Sequence, residues 1–303
     1  MILLYGIPGE KPFEMVADAI EAINGTCVIL DQRKFDQIDF ILQIRNGCMQ
    51  GELSIGHLSY GLSAFSGIYN RAIDFGSLPA AKHLAPEAYK KYATLFDKIN
   101  QWIECCDSKV VNRISAMTSN ASKPYQLTLI SEFFMVPDTV ITNDTEEAEA
   151  FGKTNDVVYK SASSIRSIVH KMDFATNAGL KKIRNCPTLF QKKLEGTNFR
   201  VHVVDSNVFA AKIESDTIDY RYSNLEGNET TITSYDLNDM IKQKCISLAQ
   251  RLQLPFAGID LFETYKGEWF CFEVNPSPGF SYFEHATRLP IAEAVAKYLS
   301  NSQ

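Results

Sequence analysis

The chain has 303 residues, 45% of them hydrophobic, and a formal net charge of −6, which predicts a folded protein of one large or two to three small domains. It contains no apolar run near the roughly 20 residues of a membrane-spanning helix, no signal-peptide pattern at its start and no basic stripe suited to nucleic acid. We therefore expect a cytoplasmic protein that binds neither membrane nor nucleic acid.

The first third of the chain alternates strand and helix patterns. Apolar residues spaced at helical intervals separate short apolar runs, and Asn46-Gly47 is a dipeptide typical of a tight hairpin turn. The sequence becomes polar near Asn112, so we predict an N-terminal domain over residues 1–112. Its predicted elements are the strand "MILLYG", the helix "KPFEMVADAIEAIN", the strand "TCVILD", the hairpin "FILQIRNGCMQGEL" and the helix "PEAYKKYATLFDKINQWIECC".

The rest of the chain predicts two further α/β regions, over residues 113–186 and 187–303. Asp144 is expected to cap a helix in the first of them. The central region contains the patterns of a helix in "KPYQLTLISEFF", strands in "VPDTVITN" and "DVVYKS", and a helix in "DTEEAEAF". The C-terminal region contains strands in "TLFQKKL", "FRVHVVDSNVFAAKIES" and "LPFAGIDLFETYKGEWFCFEVN", with the helix "DLNDMIKQKCISLAQRLQL" before the last pair.

Two carboxylates are predicted to oppose each other on the last hairpin. If its strands pair symmetrically about Lys266-Gly267, Asp260 lies opposite Glu273, and strand alternation places Cys271 on the face of Glu273. Asn275 is two residues further along and points the same way. Two carboxylates and an amide oxygen are ligands of the kind that Mg²⁺ takes. A solvated sheet face, or one carboxylate held protonated, would explain the same pattern.

Basic side chains recur in the last two-thirds of the chain. Each alone has the ordinary explanation of a surface cation. Beside a Mg²⁺ ligand set, however, such a group is typical of a nucleotide site. No Walker-type phosphate loop is present, and "GIPG" is too short for a dinucleotide fingerprint. The residues concerned are Lys123, Lys160, Arg200, His202 on the same strand face as Arg200, Lys212 on the returning strand, and Arg221.

Several stretches together resemble one family, the ATP-grasp carboxylate–amine ligases. The resemblance is closest to the RimK-like ligases and to the graspetide synthetases, which build microviridin-type cyclic peptides. It covers the last two-thirds of the chain well and implies an α/β ATP-grasp fold of three subdomains, with ATP between the central and C-terminal ones. The stretches are "NASKPYQL", "VPDTVITN", "VVYKSASS", "LFQKKLEGTNFRVHVV", "FAAKIESDTIDYRY", "GIDLF…EVNPSPGF" and "YFEHATRLPIAEAVAKYL".

The resemblance also implies roles for individual residues. Asp260, Glu273 and Asn275 match ligands of Mg²⁺, with two ions expected, and Arg200 and Arg221 match arginines at the transferring phosphate and the acyl-phosphate. The loop after Lys160 lacks the glycines that many relatives carry there, so a polar turn is an equal explanation for Ser161. The implied ATP contacts are Lys123, Lys160 and Ser161 towards the phosphates, Gln191, Lys192, Lys193 and Leu194 towards adenine, and Asn198 towards ribose.

A ligase activity follows from this resemblance. ATP would convert a carboxylate to an acyl-phosphate, and an amine or hydroxyl would then attack to form an amide or ester. A precursor peptide or a protein is the expected acceptor, and a homodimer is expected because relatives commonly form one. His202 is the candidate general base and Glu284 a candidate on the acceptor side. A small-molecule ligase, a kinase and a nonenzymatic peptide-binding relative stay open as alternatives.

Overall fold

The structure, a computed structural model, describes residues 1–162, 170–172, 183–215 and 230–300. Within these ranges the strands form four sheets. None of the helices found there is both long enough and apolar enough to cross a membrane. The predicted Arg221 lies outside the described residues, as do Ser163 and Ser164 of the serine-rich loop.

The N-terminal part contains a parallel sheet and a small antiparallel sheet. Both Asn46 and Gly47 have positive φ angles, of 53° and 77°, as the predicted two-residue hairpin turn requires. The elements are β1 (Ile2–Gly6), α1 (Lys11–Ala22), β2 (Cys27–Asp31), β3 (Ile38–Arg45), β4 (Cys48–Ile55), β5 (Leu58–Gly61), β6 (Gly67–Asn70), α2 (Pro86–Cys105) and β7 (Lys109–Val111). The parallel sheet has the order β2-β1-β6-β7, and the antiparallel sheet the order β3-β4-β5.

A second sheet unit follows two short helices. The Asp144 side chain accepts a hydrogen bond from the Glu146 amide at 2.8 Å, which confirms the predicted cap. The elements are α3 (Ile114–Met117), α4 (Lys123–Ile130), β8 (Thr139–Thr142), α5 (Thr145–Thr154), β9 (Val157–Ser161), β10 (His170–Lys171) and β11 (Thr188–Lys192). The sheet has the order β10-β9-β11-β8 and is antiparallel.

The last part of the chain is built on a five-stranded antiparallel sheet. Its long helix begins later than predicted, because the Asn238 side chain accepts from the Ile241 amide at 3.0 Å and caps it. The elements are β12 (Gly196–Val204), β13 (Asn207–Ser215), β14 (Thr230–Tyr235), α6 (Asp239–Arg251), β15 (Phe256–Thr264), β16 (Trp269–Asn275), α7 (Ser281–Thr287) and α8 (Ile291–Ser300). The sheet order is β14-β13-β12-β15-β16.

Three elements lie in a different part of the fold from the one that the sequence division assigns. The strand β11 follows the predicted boundary at 186/187, yet it pairs with β8 and β9 in the second sheet. The helix α4 buries Leu129 and Ile130 in the same core as β12, β15 and α6. The helix α8 packs on α1 and β7 at the N-terminal part. The three regions predicted from the sequence therefore do not coincide with the groups of elements that pack together.

Candidate active site

The hairpin of β15 and β16 places Asp260 opposite Glu273. The predicted opposition is thus present, although the predicted symmetry is wrong. The turn is centred on Lys266, so that Leu261 pairs with Cys271 rather than with the next residue. A β-bulge between Asp260 and Leu261 takes up this shift of one residue and restores the opposed carboxylates.

The bulge also changes which side chains share a face of β16. Phe272 is the extra residue, and its ring lies 5.5 Å from that of Phe262. Cys271 and Val274 both pack into the core beneath the sheet, whereas Glu273 points to the opposite face. The prediction that Cys271 shares the face of Glu273 is therefore wrong, because one inserted residue reverses the alternation of a strand.

Two lysines from separate elements converge on Glu273. Lys123 Nζ, at the start of α4, lies 3.0 Å from Glu273 Oε2. Lys160 Nζ, on β9 in the sheet of β8 to β11, lies 3.7 Å from the same oxygen. Both lysine side chains are only 13–14% exposed. Lys123 also donates to Asn120 Oδ1 at 3.3 Å. Two enclosed cations facing one carboxylate form a pocket suited to a further anion, such as a phosphate group.

Arg200 completes this charged cluster from the neighbouring strand. It lies opposite Asp260 in the pairing of β12 with β15, and its Nη1 is 2.5 Å from Asp260 Oδ1. The guanidinium is buried and lies 5.9 Å from the ring centre of Phe283. Among the described residues, the cluster therefore joins three cations and two carboxylates. Asn275 lies two residue pairs further along the hairpin, opposite Gly258.

The donor set of the cluster fits Mg²⁺. Nowhere in the described part of the chain do three or more His, Cys, Asp or Glu side chains form a group that could hold a metal ion. Two carboxylates and one amide oxygen leave most of a coordination sphere to water and substrate oxygens, which is how Mg²⁺ is usually held beside phosphates. The residues present therefore fit Mg²⁺ with a nucleotide better than a metal enclosed by protein ligands alone.

Because Gly258 has no side chain, the Arg200 guanidinium can lie directly against it. A Cβ at this position would lie 2.5 Å from Arg200 Nη2 and 2.7 Å from Pro278 Cβ. Gly258→Ala is therefore expected to displace Arg200 from Asp260, to lower the rate of the ATP-dependent reaction that the resemblance implies about tenfold, and to cost about 1–3 kcal/mol of stability. Steady-state kinetics and thermal unfolding measure both effects. Gly279→Ala is the control, since a Cβ there meets nothing within 4 Å. Equal behaviour of the two variants would contradict this account.

The remaining predicted nucleotide residues lie on or directly after the strands β9, β11 and β12. Ser161 ends β9, and Asn198 lies on β12 opposite Phe262, on the face of Arg200. Gln191 is buried and donates to Thr139 Oγ1 at 3.0 Å. Lys192 is the last residue of β11, and Lys193 and Leu194 lie in the connection from β11 to β12. The amides of Lys192 and Lys193 already donate to the carbonyls of Asp138 and Asp156, so an adenine contact from either amide would compete with those bonds.

Two predicted basic residues add no positive charge to the cluster. His202 is 1% exposed, and burial together with the charge of Arg200 lowers its pKa well below the usual range, so the imidazole is neutral. Enclosed between Phe256 and Phe283, it is not placed to act as the general base. Lys212 pairs across the strands with Phe199 and binds Glu214 at 2.6 Å. It thus lies on the other face of the sheet, and its predicted place in the cationic lining is wrong.

Glu284 holds the last helix in place. Its carboxylate accepts from the Ala292 amide at 2.8 Å in the first turn of α8, and its place on the acceptor side stays a prediction. Burial raises the pKa of Glu284, so the ionised form is less favourable in the folded than in the unfolded chain. The contribution of this group to the free energy of unfolding is fully present at low pH and is lost as the pH rises through the raised pKa.

Glu284→Gln is therefore expected to raise the unfolding temperature at pH 7, because glutamine still accepts the Ala292 amide but carries no charge to bury. The gain should vanish near pH 4, where the wild-type carboxyl is protonated. Thermal unfolding between pH 4 and 8 measures it. Glu284→Ala, which removes the cap, should cost about 1 kcal/mol at every pH. A glutamine variant that is less stable at pH 7 would contradict the assignment.

Sequence patterns did not mark the side chains that hold the site together. The Gln126 amide on α4 donates to the Val274 carbonyl at 2.8 Å and accepts from the Val274 amide at 3.1 Å, so it ties α4 to β16. Asn112 bonds to the main chain of Phe256 and Pro276. A buried amide in a helix or after a strand has no spacing rule, and the polar sequence near Asn112 was the one available signal.

Comparison with known proteins relates this chain to ATP-grasp enzymes. A family model described as the RimK-like ATP-grasp domain matches residues 129–299, more than half of the chain. A probable alpha-L-glutamate ligase from Haemophilus ducreyi is 30% identical over 135 residues, which is 44% of this chain. The matched stretch spans 43% of the length of that relative, less than half.

Two solved structures match over almost the whole chain. A RiPP-associated ATP-grasp ligase of Chryseobacterium gregarium, in complex with ADP and a leader and core peptide, has a TM-score of 0.83 at 19% identity and covers 98% of this chain and 96% of its own. The ATP-grasp ligase PsnB, with a precursor variant, Mg and ADP, has a TM-score of 0.80 at 22% identity, covering 98% and 97%. These matches confirm the fold predicted from the sequence, including its N-terminal third.

Proposed function

The chain belongs to the RimK-like ATP-grasp family, and we propose that it is an ATP-dependent ligase that joins a carboxylate of a peptide or protein to an amine or hydroxyl. One observation carries the proposal: Asp260 and Glu273 are opposed across a hairpin and surrounded by Lys123, Lys160 and Arg200. A charge arrangement of this kind suits the binding of Mg²⁺ and phosphates and has no use in a peptide-binding surface alone.

Asp260, Glu273 and Asn275 would hold Mg²⁺, with two ions expected. Bound there, Mg²⁺ would shield the negative charge of the ATP phosphates. Lys123 and Lys160 would exchange part of their contact with Glu273 for phosphate oxygens, because each lysine already lies within 4 Å of the carboxylate.

Arg200 would neutralise the phosphoryl group while it passes from ATP to the substrate carboxylate, with release of ADP. An amine or hydroxyl then attacks the acyl carbon, loses its proton, and phosphate leaves. Arg221, outside the described residues, is proposed to assist at the acyl-phosphate. Water would have to be excluded during the second step, since the acyl-phosphate hydrolyses. The site between the second and third sheets is suited to such exclusion because lysines of two elements meet there.

A ribosomal precursor peptide is the proposed substrate, to be closed into rings by ester or amide bonds, in the cytoplasm and by a homodimer. Support comes from the two solved structures, both bound to peptides and matched over nearly their full length. The relation to a probable glutamate ligase favours one second candidate, the addition of a free amino acid to a peptide or protein carboxylate.

One reaction tests the proposal. The protein is incubated with ATP, Mg²⁺ and a short Thr-, Ser-, Lys-, Asp- and Glu-rich peptide encoded beside its own reading frame, and the products are weighed by mass spectrometry. Loss of one water per bond, with one ADP released, is expected for ring closure. Gain of an amino-acid residue supports the second candidate. Gain of a phosphate would show a kinase and overturn the ligase assignment.

A further inference from the structure

A single buried side chain joins the two strands that carry the proposed Mg²⁺ ligands. Asn112 directly follows β7 and is 2% exposed. Its Nδ2 donates to the Phe256 carbonyl at 2.6 Å and to the Pro276 carbonyl at 2.5 Å, and its Oδ1 accepts from the Phe256 amide at 3.1 Å. Phe256 is the first residue of β15 and Pro276 directly follows β16, so one amide bonds to both ends of the hairpin.

This contact lies at the open end of the hairpin. The turn around Lys266 ties the two strands at their far end, and strands splay most easily where no turn connects them. Asn275 directly precedes Pro276 and Glu273 is three residues before it, so both lie near the open end, whereas Asp260 is in the middle of β15, four residues or about 13 Å after Phe256. A change in the separation of the strand ends would therefore change the distances between the ligand oxygens.

The N-terminal part makes further bonds to the same segment. The Asn70 side chain donates to the main-chain carbonyl of Asn112 at 3.1 Å and so orients it. Arg71 donates to the Pro278 carbonyl at 3.3 Å while its guanidinium is held by Glu10. The residues after β16 thus receive hydrogen bonds from Arg71 and from Asn112, and Asn70 of β6 bonds to Asn112 in turn; all three donors lie outside the sheet that carries the ligands.

We propose that Asn112 is a positioning residue of the Mg²⁺ site: it sets the separation of β15 and β16 at their open end and thereby the spacing of Asn275 and Glu273 from Asp260. The inference rests on the proposed ligase function. It assigns to the N-terminal part an effect on metal and nucleotide binding that acts through the strand ends, although none of its side chains belongs to the proposed ligand set. A residue that only stabilised the fold would lower the unfolding temperature and leave the Mg²⁺ requirement unchanged.

The test measures ADP binding by calorimetry at a series of Mg²⁺ concentrations, with folding checked by circular dichroism. In Asn112→Ala, and in the milder Asn112→Ser, which keeps one hydroxyl donor, the Mg²⁺ concentration for half-maximal ADP binding should rise at least fivefold and about twofold, respectively. Leu53→Ala, a buried residue of β4 in the N-terminal core, is the control that loses stability alone. Its Mg²⁺ midpoint should equal that of the wild type.

A second comparison tests the route through the ligand. In an Asn275→Ala background, Asn112→Ala should shift the Mg²⁺ midpoint by less than it does in the otherwise wild-type protein, whereas fully additive shifts would overturn the positioning role. So would a folded Asn112→Ser protein with the wild-type midpoint. Failure of the proposed function has a different signature. If ADP affinity of the wild type did not depend on the Mg²⁺ concentration, or if Glu273→Gln left the Mg²⁺ midpoint unchanged, the result would contradict the metal site itself rather than the role of Asn112.

Discussion

Glu273→Gln is expected to lower Mg²⁺-dependent ATP turnover at least 100-fold while the protein remains folded. Glutamine keeps the size and one acceptor oxygen of the side chain but loses the charge that faces Lys123 and Lys160 at 3.0 and 3.7 Å. The loss would weaken Mg²⁺ binding and remove the balance of charge at the transferring phosphate, effects of about 10²–10³ in rate for a single preorganised group. ADP release in the presence of the peptide substrate measures it.

The control lies on the same hairpin. Glu268 is exposed in the turn and interacts with Thr264, so Glu268→Gln makes the same chemical change away from the cluster. Its turnover should match that of the wild type. A Glu273→Gln enzyme that kept more than a tenth of the wild-type rate would show that the opposed carboxylates do not hold the metal, since the cations alone cannot supply that ligand.

Arg200→Met is expected to reduce ligation at least 100-fold, and Arg200→Lys about tenfold. Methionine fills much of the buried volume but leaves Asp260 without the guanidinium that lies 2.5 Å away. Lysine restores the charge without the planar fork that can contact the carboxylate and a phosphate together. Because Arg200 is proposed to act on the group in transfer, kcat should fall more than the KM for ATP rises. Initial-rate kinetics over a range of ATP concentrations separate the two constants.

Arg251→Met is the matched control, since Arg251 is an exposed arginine bound to Glu132 at 2.9 Å on the outer helix α6. Its kinetics should be those of the wild type. If Arg200→Met raised only the KM for ATP and left kcat intact, Arg200 would be a ground-state binding residue and its role at the transferring phosphate would be wrong. The lysine variant distinguishes loss of charge from loss of geometry.

Local patterns predicted many of the elements, although not the strands β6, β7 and β14, and they suggested the residue types proposed for the site. The turn at Asn46-Gly47 and the cap at Asp144 depend on a few neighbouring residues, so their chemistry is visible in the sequence. The opposition of Asp260 and Glu273 was predicted with the wrong turn centre and without the bulge, and the two errors cancelled. A bulge cannot be inferred from alternation alone, because an apolar strand with one extra residue is compatible with more than one pairing register.

The sequence by itself determined which residues could form a Mg²⁺ and nucleotide site, because the kind of side chain decides what it can ligate. Only the tertiary structure decided how they meet: Lys160 reaches Glu273 from another sheet, β11 joins the sheet before its predicted boundary, and Asn112 bonds to strand ends more than 140 residues away. Local propensity acts over a few residues, whereas these contacts follow from packing apolar faces of distant segments into shared cores. The kinds of side chain available for the chemistry can therefore be read from the local sequence, whereas their arrangement in space depends on packing between distant segments.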